Sequence, residues 1–196
     1  MDALFAALLG YLVGSIPFGL LLTKAAGMGD VRNIGSGNIG ATNVLRTGNK
    51  GLALATLLLD GGKGAAATLI CGAIWGQEAA ILAGLFAVIG HNFPVLLKFQ
   101  GGKGVATTLG TLLALAWPVG VGACLTWLVV AVVFRYSSLS AILALAASPF
   151  YAWWLTGDQG IVVVVAVLAL LGIARHHANI RRLLAGQEPK IGRKKD

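Results

Sequence analysis

Charge is scarce in this sequence: 11% of its 196 residues are Asp, Glu, Lys or Arg, against about a quarter in an ordinary water-soluble domain, and 57% are apolar. That balance, with a mean hydropathy of +0.84, excludes a soluble globular domain. Acidic residues are the rarest charged class, 7 in all, so a metal-dependent phosphoryl-transfer site would lack ligands. The 2 cysteines, Cys71 and Cys124, lie in apolar runs without metal-ligand neighbours; they read as small hydrophobes and say nothing about redox compartment. CxxC, HExxH and G-x-S-x-G are all missing, and none of His91, His176 and His177 has an Asp at the H-x4-D spacing of an acid–base relay.

In place of charge the chain has apolar runs of about 20 residues recurring up to Arg175, each long enough to cross a bilayer core of roughly 30 Å as a helix. The expected fold is an all-α integral membrane protein with seven transmembrane helices in a single polytopic domain, 1–196. Its spans lie near 3–25, 52–75, 79–97, 104–117, 119–134, 138–156 and 160–174, followed by a cytoplasmic tail at 175–196. The first run does not read as a cleavable signal peptide, because Asp2 stands where a positive n-region would and Gly14, Ser15 and Pro17 interrupt it. Between spans, 14 of the 15 Lys and Arg fall on one side, while Asp2, Glu78 and Asp158 occupy the other; Lys63 lies inside a span. Lys/Arg excess marks the cytoplasmic side, which puts the N-terminus outside and the C-terminus inside, and makes the net +8 a membrane-surface feature with no nucleic-acid partner implied. Trp75, Trp117, Trp153 and Trp154 fall at predicted outer ends, as an aromatic belt would. Residues 104–134 are interrupted only at Trp117-Pro118; one span there would divide the cations between both faces, so the charge asymmetry favours seven.

Three segments on the cation-rich side are more polar and Gly-rich than connections require. In Asn33-Ile34-Gly35-Ser36-Gly37-Asn38-Ile39-Gly40-Ala41-Thr42-Asn43-Val44-Leu45-Arg46 the glycines permit close backbone approach, and Ser36, Asn38, Thr42 and Asn43 offer side-chain donors. Arg46 adds a planar fork suited to phosphate. The alternative is a polar turn with a helix cap. The second segment, Gly90-His91-Asn92-Phe93-Pro94 and then Lys98-Phe99-Gln100-Gly101-Gly102-Lys103-Gly104-Val105-Ala106-Thr107-Thr108, opens an apolar helix with a glycine turn and the Lys103 ammonium. Backbone N–H groups, the positive helix end and a cation would converge there on a phosphate; a flexible hinge with a snorkelling Lys is the rival account. The Walker spacing is absent. Asp60-Gly61-Gly62-Lys63-Gly64 repeats the tetrapeptide inside a span, where a carboxylate and an ammonium three apart share a helix face; neutralising pair and active-site role are both open.

In the third segment, Arg175-His176-His177-Ala178-Asn179-Ile180-Arg181-Arg182-Leu183-Leu184 running on to Gly186-Gln187-Glu188, helical spacing puts His176, Asn179 and Arg182 on one face. A basic helix held by anionic lipid is the plainer reading for the arginines. In the turn Arg135-Tyr136-Ser137-Ser138-Leu139-Ser140, hydroxyl capping is the default and a ligand contact through Ser138 is secondary. Cationic and neutral donors thus dominate one face, a composition suited to two anionic phosphate substrates.

Taken together, Ser36 to Arg46, Gly101-Gly102-Lys103-Gly104-Val105-Ala106-Thr107 and His176 to Leu183 resemble the PlsY family, the bacterial acyl-phosphate:glycerol-3-phosphate acyltransferases, with span count and order matching over almost the whole chain. The resemblance implies a seven-helix, cofactor- and metal-free enzyme of the bacterial cell (inner) membrane that forms lysophosphatidate from acyl phosphate and glycerol-3-phosphate on the cytoplasmic side. Carried over by position, it implies catalytic parts for Ser36, Arg46, His176 and Asn179, to which the charge of the Lys103 ammonium adds that residue. Substrate contacts fall to Gly37, Asn38, Gly40, Thr42, Asn43, Gly101, Gly102, Gly104, Thr107 and Ser138, with membrane lipid and the soluble enzyme that makes acyl phosphate as partners. Two departures are Ala141 after Ser140, where the family usually has another Ser, and Gly61-Gly62, where it often has a large apolar pair. Two other classes compete. A small membrane transporter of glycerol phosphate or a similar anion would also gather cations and glycines, though the odd span count lacks two-half symmetry; a membrane scaffold would need no three polar motifs.

Overall fold

The computed structural model describes residues 1–192; the tail cations Arg193, Lys194 and Lys195 lie outside the described residues. Among the described residues all regular structure is helical, and the chain forms two compact units, Met1–Leu115 and a second from Ala116 onward. The first unit contains α1 (Asp2–Gly14), α2 (Phe18–Ala25), α3 (Ala41–Leu45), α4 (Lys50–Trp75), α5 (Gln77–Asn92) and α6 (Val105–Leu115), with single 3-10 turns at Val31–Asn33 and Val95–Leu97. The second contains α7 (Trp117–Phe134), α8 (Ser137–Thr156), α9 (Gln159–Arg175) and α10 (His177–Leu184).

The run expected to cross as one helix at 3–25 is broken between α1 and α2. Pro17 has no N–H to donate and disfavours helix at Ile16 before it. The Ile16 carbonyl left without a helical donor is taken by Lys63 Nζ at 2.7 Å. Small residues then let helices approach closely: a Cβ at Gly10 or Gly14 of α1 would collide with the backbone of Ala83 or Ala87 of α5, and one at Gly110 of α6 would strike the Gly61 carbonyl of α4. The packing demand thus falls on Gly110; a Cβ at Gly61 itself would meet only the Ala106 carbonyl, at 3.4 Å, and the space at Gly62 is open. Cys71 sits fully buried among Ala67, Ala79 and Ala83, as a small hydrophobe would.

By length and hydropathy, Asp2–Ala25 across its break, Lys50–Trp75, Gln77–Leu97, Trp117–Phe134 and Ser137–Thr156 are candidate membrane spans, and α9 continues into α10 through a 59° bend. The protein is an all-helical integral membrane protein. Residues 104–134 do not form one helix: Ala116 has φ −152° and ψ 88°, outside the helical region. With 11 residues, α6 rises only about 16 Å, roughly half a bilayer core. Within α8, Pro149 cannot donate to the Leu145 carbonyl, and the Ser148 hydroxyl donates to it instead at 2.8 Å.

Candidate active site

In the first unit, the segment from Val31 to Arg46 folds around one buried amide. The two N–H bonds of Asn43 are shared among the carbonyls of Val31 and Ile34, both at 2.9 Å, and Asn38 at 2.8 Å. Its Oδ1 accepts from the Ser36 N–H at 3.0 Å, the Ser36 hydroxyl at 3.3 Å and Arg46 Nη1 at 3.2 Å. Ser36 and Arg46, both exposed, are thus tied to a single oxygen, while Asn43, 2% exposed, has every donor engaged by the loop itself. Gly35 makes this possible: it has φ +55°, and a Cβ there would lie 2.6 Å from Asn43 Oδ1 and 2.7 Å from Arg46 Cδ. Gly37 also takes a positive φ, Asn38 Oδ1 accepts from the Gly40 N–H at 3.0 Å, and Thr42 is exposed on α3. Apolar anchors Val31, Ile39 and Val44 pack with Leu20 and Ala53, and Leu97, in the turn between the two parts of the second segment, packs on the same cluster. An open cleft of about 460 Å³ between the two segments is lined by Lys24, Arg32, Lys98 and Gln100. Asp30 engages two of these cations, lying 2.6 Å from Arg32 Nη2 and 3.9 Å from Lys24 Nζ. The Arg32 hydrogen bond holds the Asp30 carboxyl down to about 2, below the usual carboxylate range.

The second segment uses its glycines differently from the expectation. The Gly101 and Gly102 N–H groups donate to the Asn92 and His91 carbonyls at 3.2 and 3.0 Å, so they satisfy the end of α5 rather than face an anion. The helix-end donors left for an anion are those of the first turn of α6, from Val105 to Thr107. Cβ atoms at Gly101, Gly102 and Gly104 would run into, respectively, the His91 carbonyl, His91 Nε2 and Asn92 Oδ1. Lys103 stands half-buried between them. Thr107 is turned away, fully buried in the contact between α6 and Gly64 of α4.

In the second unit, the third segment closes on a carboxylate. Glu188 Oε1 accepts from the Ser138 hydroxyl at 2.7 Å and from Asn179 Nδ2 at 2.6 Å, and Oε2 accepts from Arg182 Nε at 2.7 Å. Burial pushes the Glu188 carboxyl up, but the Ser138, Asn179 and Arg182 hydrogen bonds and the Arg182 charge outweigh it and leave it below its ordinary value. Ser140 bonds back to the Tyr136 carbonyl, so Ser138 joins the cluster and Ser140 does not. His176 is 2% exposed, and its Nδ1 lies 2.7 Å from the Gly172 carbonyl. A carbonyl only accepts, so Nδ1 carries the proton and Nε2 is the acceptor nitrogen of the neutral ring. His177 is exposed instead. The tail is held by Ile191 N–H on the Arg135 carbonyl at 2.6 Å and by Lys190 over the Tyr136 ring at 5.6 Å. Among the described residues, no group of three or more His, Cys, Asp or Glu is placed to hold a metal ion.

The chain as a whole has known counterparts. A family model described as glycerol-3-phosphate acyltransferase matches residues 4–186. A curated relative of that name from Paramagnetospirillum magneticum is 62% identical over 195 residues, covering 100% of this chain and 96% of its own. The chain belongs to the PlsY family of glycerol-3-phosphate acyltransferases. The crystal structure of PlsY, an integral membrane glycerol 3-phosphate acyltransferase, in its glycerol 3-phosphate form matches with a TM-score of 0.93 at 38% identity, covering 98% of this chain and 96% of that one. The lysophosphatidic acid form of PlsY gives 0.91 at 36% identity with the same coverage.

Membership of the PlsY family makes the chain an acyltransferase of lipid biosynthesis, and the transporter and scaffold readings fall with it. One residue central to the third segment of this family member was not among the expected site residues. Glu188 stood in the sequence as a lone carboxylate in a run of cations from Arg175 to Lys195, and that isolation was the available signal.

Proposed function

We propose that the chain transfers a fatty acyl group from acyl phosphate to the 1-hydroxyl of sn-glycerol 3-phosphate, giving lysophosphatidate and inorganic phosphate, the first step of bacterial phospholipid synthesis. The observation that carries this reading is the tethering of Ser36 and Arg46 to one Asn43 oxygen in a glycine-rich loop, a hydroxyl and a guanidinium presented together as an anion site would need them. The glycerol 3-phosphate and lysophosphatidic acid forms of the similar PlsY structures support the acceptor and product. The one-sided cations support seven spans in the inner membrane, with the N-terminus outside and the chemistry at the cytoplasmic face. A contact with the soluble acyl-phosphate-forming enzyme belongs to the same proposal.

An acyl phosphate is a mixed anhydride whose carbonyl is already activated. The glycerol oxygen bonds to the acyl carbon, the bond from that carbon to the phosphate oxygen breaks, and phosphate leaves. The main obstacle is bringing two phosphates together: four unit-charge repulsions at about 5 Å oppose binding by roughly 13 kcal/mol at an effective dielectric of about 20. Arg46, Lys103 and the first-turn N–H groups of α6 offset this, after which alignment supplies much of the rate. The departing phosphate takes the hydroxyl proton and leaves as hydrogen phosphate; His176 Nε2 is the competing acceptor. On this mechanism His176→Ala lowers kcat yet retains pH-dependent turnover. Complete loss of chemistry in a folded His176→Ala protein that still binds both substrates would assign the proton to His176.

The donor is tested with protein purified in detergent, glycerol-3-phosphate, and palmitoyl phosphate, palmitoyl-CoA or palmitoyl-carrier protein in parallel. Lysophosphatidate from palmitoyl phosphate alone is expected; product only from a thioester keeps the acyltransferase and overturns the acyl-phosphate donor.

A further inference from the structure

The pair Asp60 and Lys63 lies one turn apart on α4, with both side chains 2% exposed and 2.9 Å between Asp60 Oδ1 and Lys63 Nζ. Two charges in a membrane-spanning segment are costly, and an apolar pair would fill the same volume more cheaply. Their surroundings indicate what the charges do. Lys63 Nζ also donates to the Ile16 carbonyl at the break between α1 and α2, which anchors the ammonium and leaves the carboxylate to face α5. There Asp60 Oδ1 lies 3.6 Å from His91 Nδ1, close enough to orient the imidazole electrostatically. The opposite edge of that ring, at Nε2, occupies the space a Cβ of Gly102 would need. His91, 4% exposed, is therefore held between the Asp60 carboxylate and the Gly102 backbone. The Gly102 N–H bonds to the His91 carbonyl, and the fully buried Asn92 side chain lies where a Cβ of Gly104 would be.

We propose that Asp60, Lys63 and His91 are positioning residues: the buried pair fixes the His91 ring, and the ring fixes the height of the Gly101–Gly104 loop and with it the first turn of α6. The proposal rests on reading that loop as the glycerol-phosphate site. None of the three touches substrate; they act through the loop. Replacing one member of the ion pair alone strands a buried charge and risks misfolding. The informative variants are therefore His91→Gln, which keeps the pair, and the neutral double Asp60→Asn/Lys63→Gln.

The experiment measures initial rates against glycerol-3-phosphate at saturating palmitoyl phosphate, with melting temperature and size-exclusion profile checked for each protein. Gly102→Ala should raise KM for glycerol-3-phosphate by about tenfold, since its methyl meets the imidazole. His91→Gln and the neutral double should raise the same KM by a comparable factor, with kcat and the donor KM within about threefold of the parent. In a His91→Ala background, adding Gly102→Ala should cost little more, because the methyl enters the space the ring has left. A raised KM in Gly102→Ala with an unchanged KM in His91→Gln and the neutral double overturns the positioning role. So does a general loss of kcat with a lowered melting temperature, which marks the cluster as structural. An unchanged KM in Gly102→Ala itself removes the loop from the glycerol-phosphate site, a separate failure.

Discussion

Asn43→Ala is expected to reduce kcat/KM by at least about 100-fold while leaving helix content, read by circular dichroism, unchanged. The substitution removes the one group that gathers the loop. The carbonyls of Val31, Ile34 and Asn38 lose their donor, and Ser36 and Arg46 lose the shared acceptor that keeps them together. Each buried polar group left without a partner costs roughly 1–3 kcal/mol, enough to unfold a local segment but not the helices behind it. Asn43→Asp separates the two halves of the argument. A carboxylate retains an acceptor for Ser36 and Arg46, but it turns an oxygen toward three carbonyls that lie within 2.9 Å. The Asp variant should therefore fail nearly as badly, with faster backbone hydrogen exchange across 31–46. Near-parental activity in Asn43→Asp would show that the carbonyl contacts do not shape the site.

The parts of this fold legible in the sequence are those that depend on local composition. Apolar runs reported the long helices, and Trp117-Pro118 marked an interruption that the structure places at Ala116. Pro17 is an equally local signal, yet the apolar run continues on both sides of it and hydropathy does not register a lost hydrogen bond, so 3–25 reads as one span. Ser36 and Arg46 were legible as donors. The centrality of Asn43 was not, since an amide becomes a hub only when carbonyls up to 12 residues away fold onto it. For the glycines of the second segment, the sequence announced close backbone approach but not the partner. The fold brings them against His91 and Asn92 at the end of α5, whose carbonyls need donors once the helix stops, and this takes up N–H groups that had been expected to face phosphate. Burial of Asp60 beside His91 likewise joins positions 31 residues apart, a distance over which no periodicity speaks.

Glu188→Ala is expected to have the largest effect on the second unit, lowering stability by about 3 kcal/mol, on the order of 10 °C in melting temperature, and kcat/KM by about 100-fold. The Glu188 carboxylate is 5% exposed and joins three residues from two places in the chain: Ser138 at the start of α8, and Asn179 and Arg182 on α10. Truncation leaves the Ser138 hydroxyl and the Asn179 amide buried without their acceptor, while Arg182, 37% exposed, can turn to water. Glu188→Gln should be much milder, about 1 kcal/mol, because an amide oxygen can still accept from Ser138 and Asn179 and only the Arg182 contact is replaced by two opposed N–H donors. The pH dependence follows from the depressed carboxyl. Because the folded protein binds that proton less readily than the unfolded chain, the contribution is fully present above the unfolded Glu range and is lost as pH falls through the lower folded value. The stability difference between the parent and Glu188→Gln should therefore be constant near neutrality and shrink on acidification below the ordinary Glu range, near pH ~4.3. A difference that persists unchanged through that acid range would mean that the carboxylate charge contributes nothing, and that Glu188 holds Ser138 and Asn179 only as a neutral acceptor.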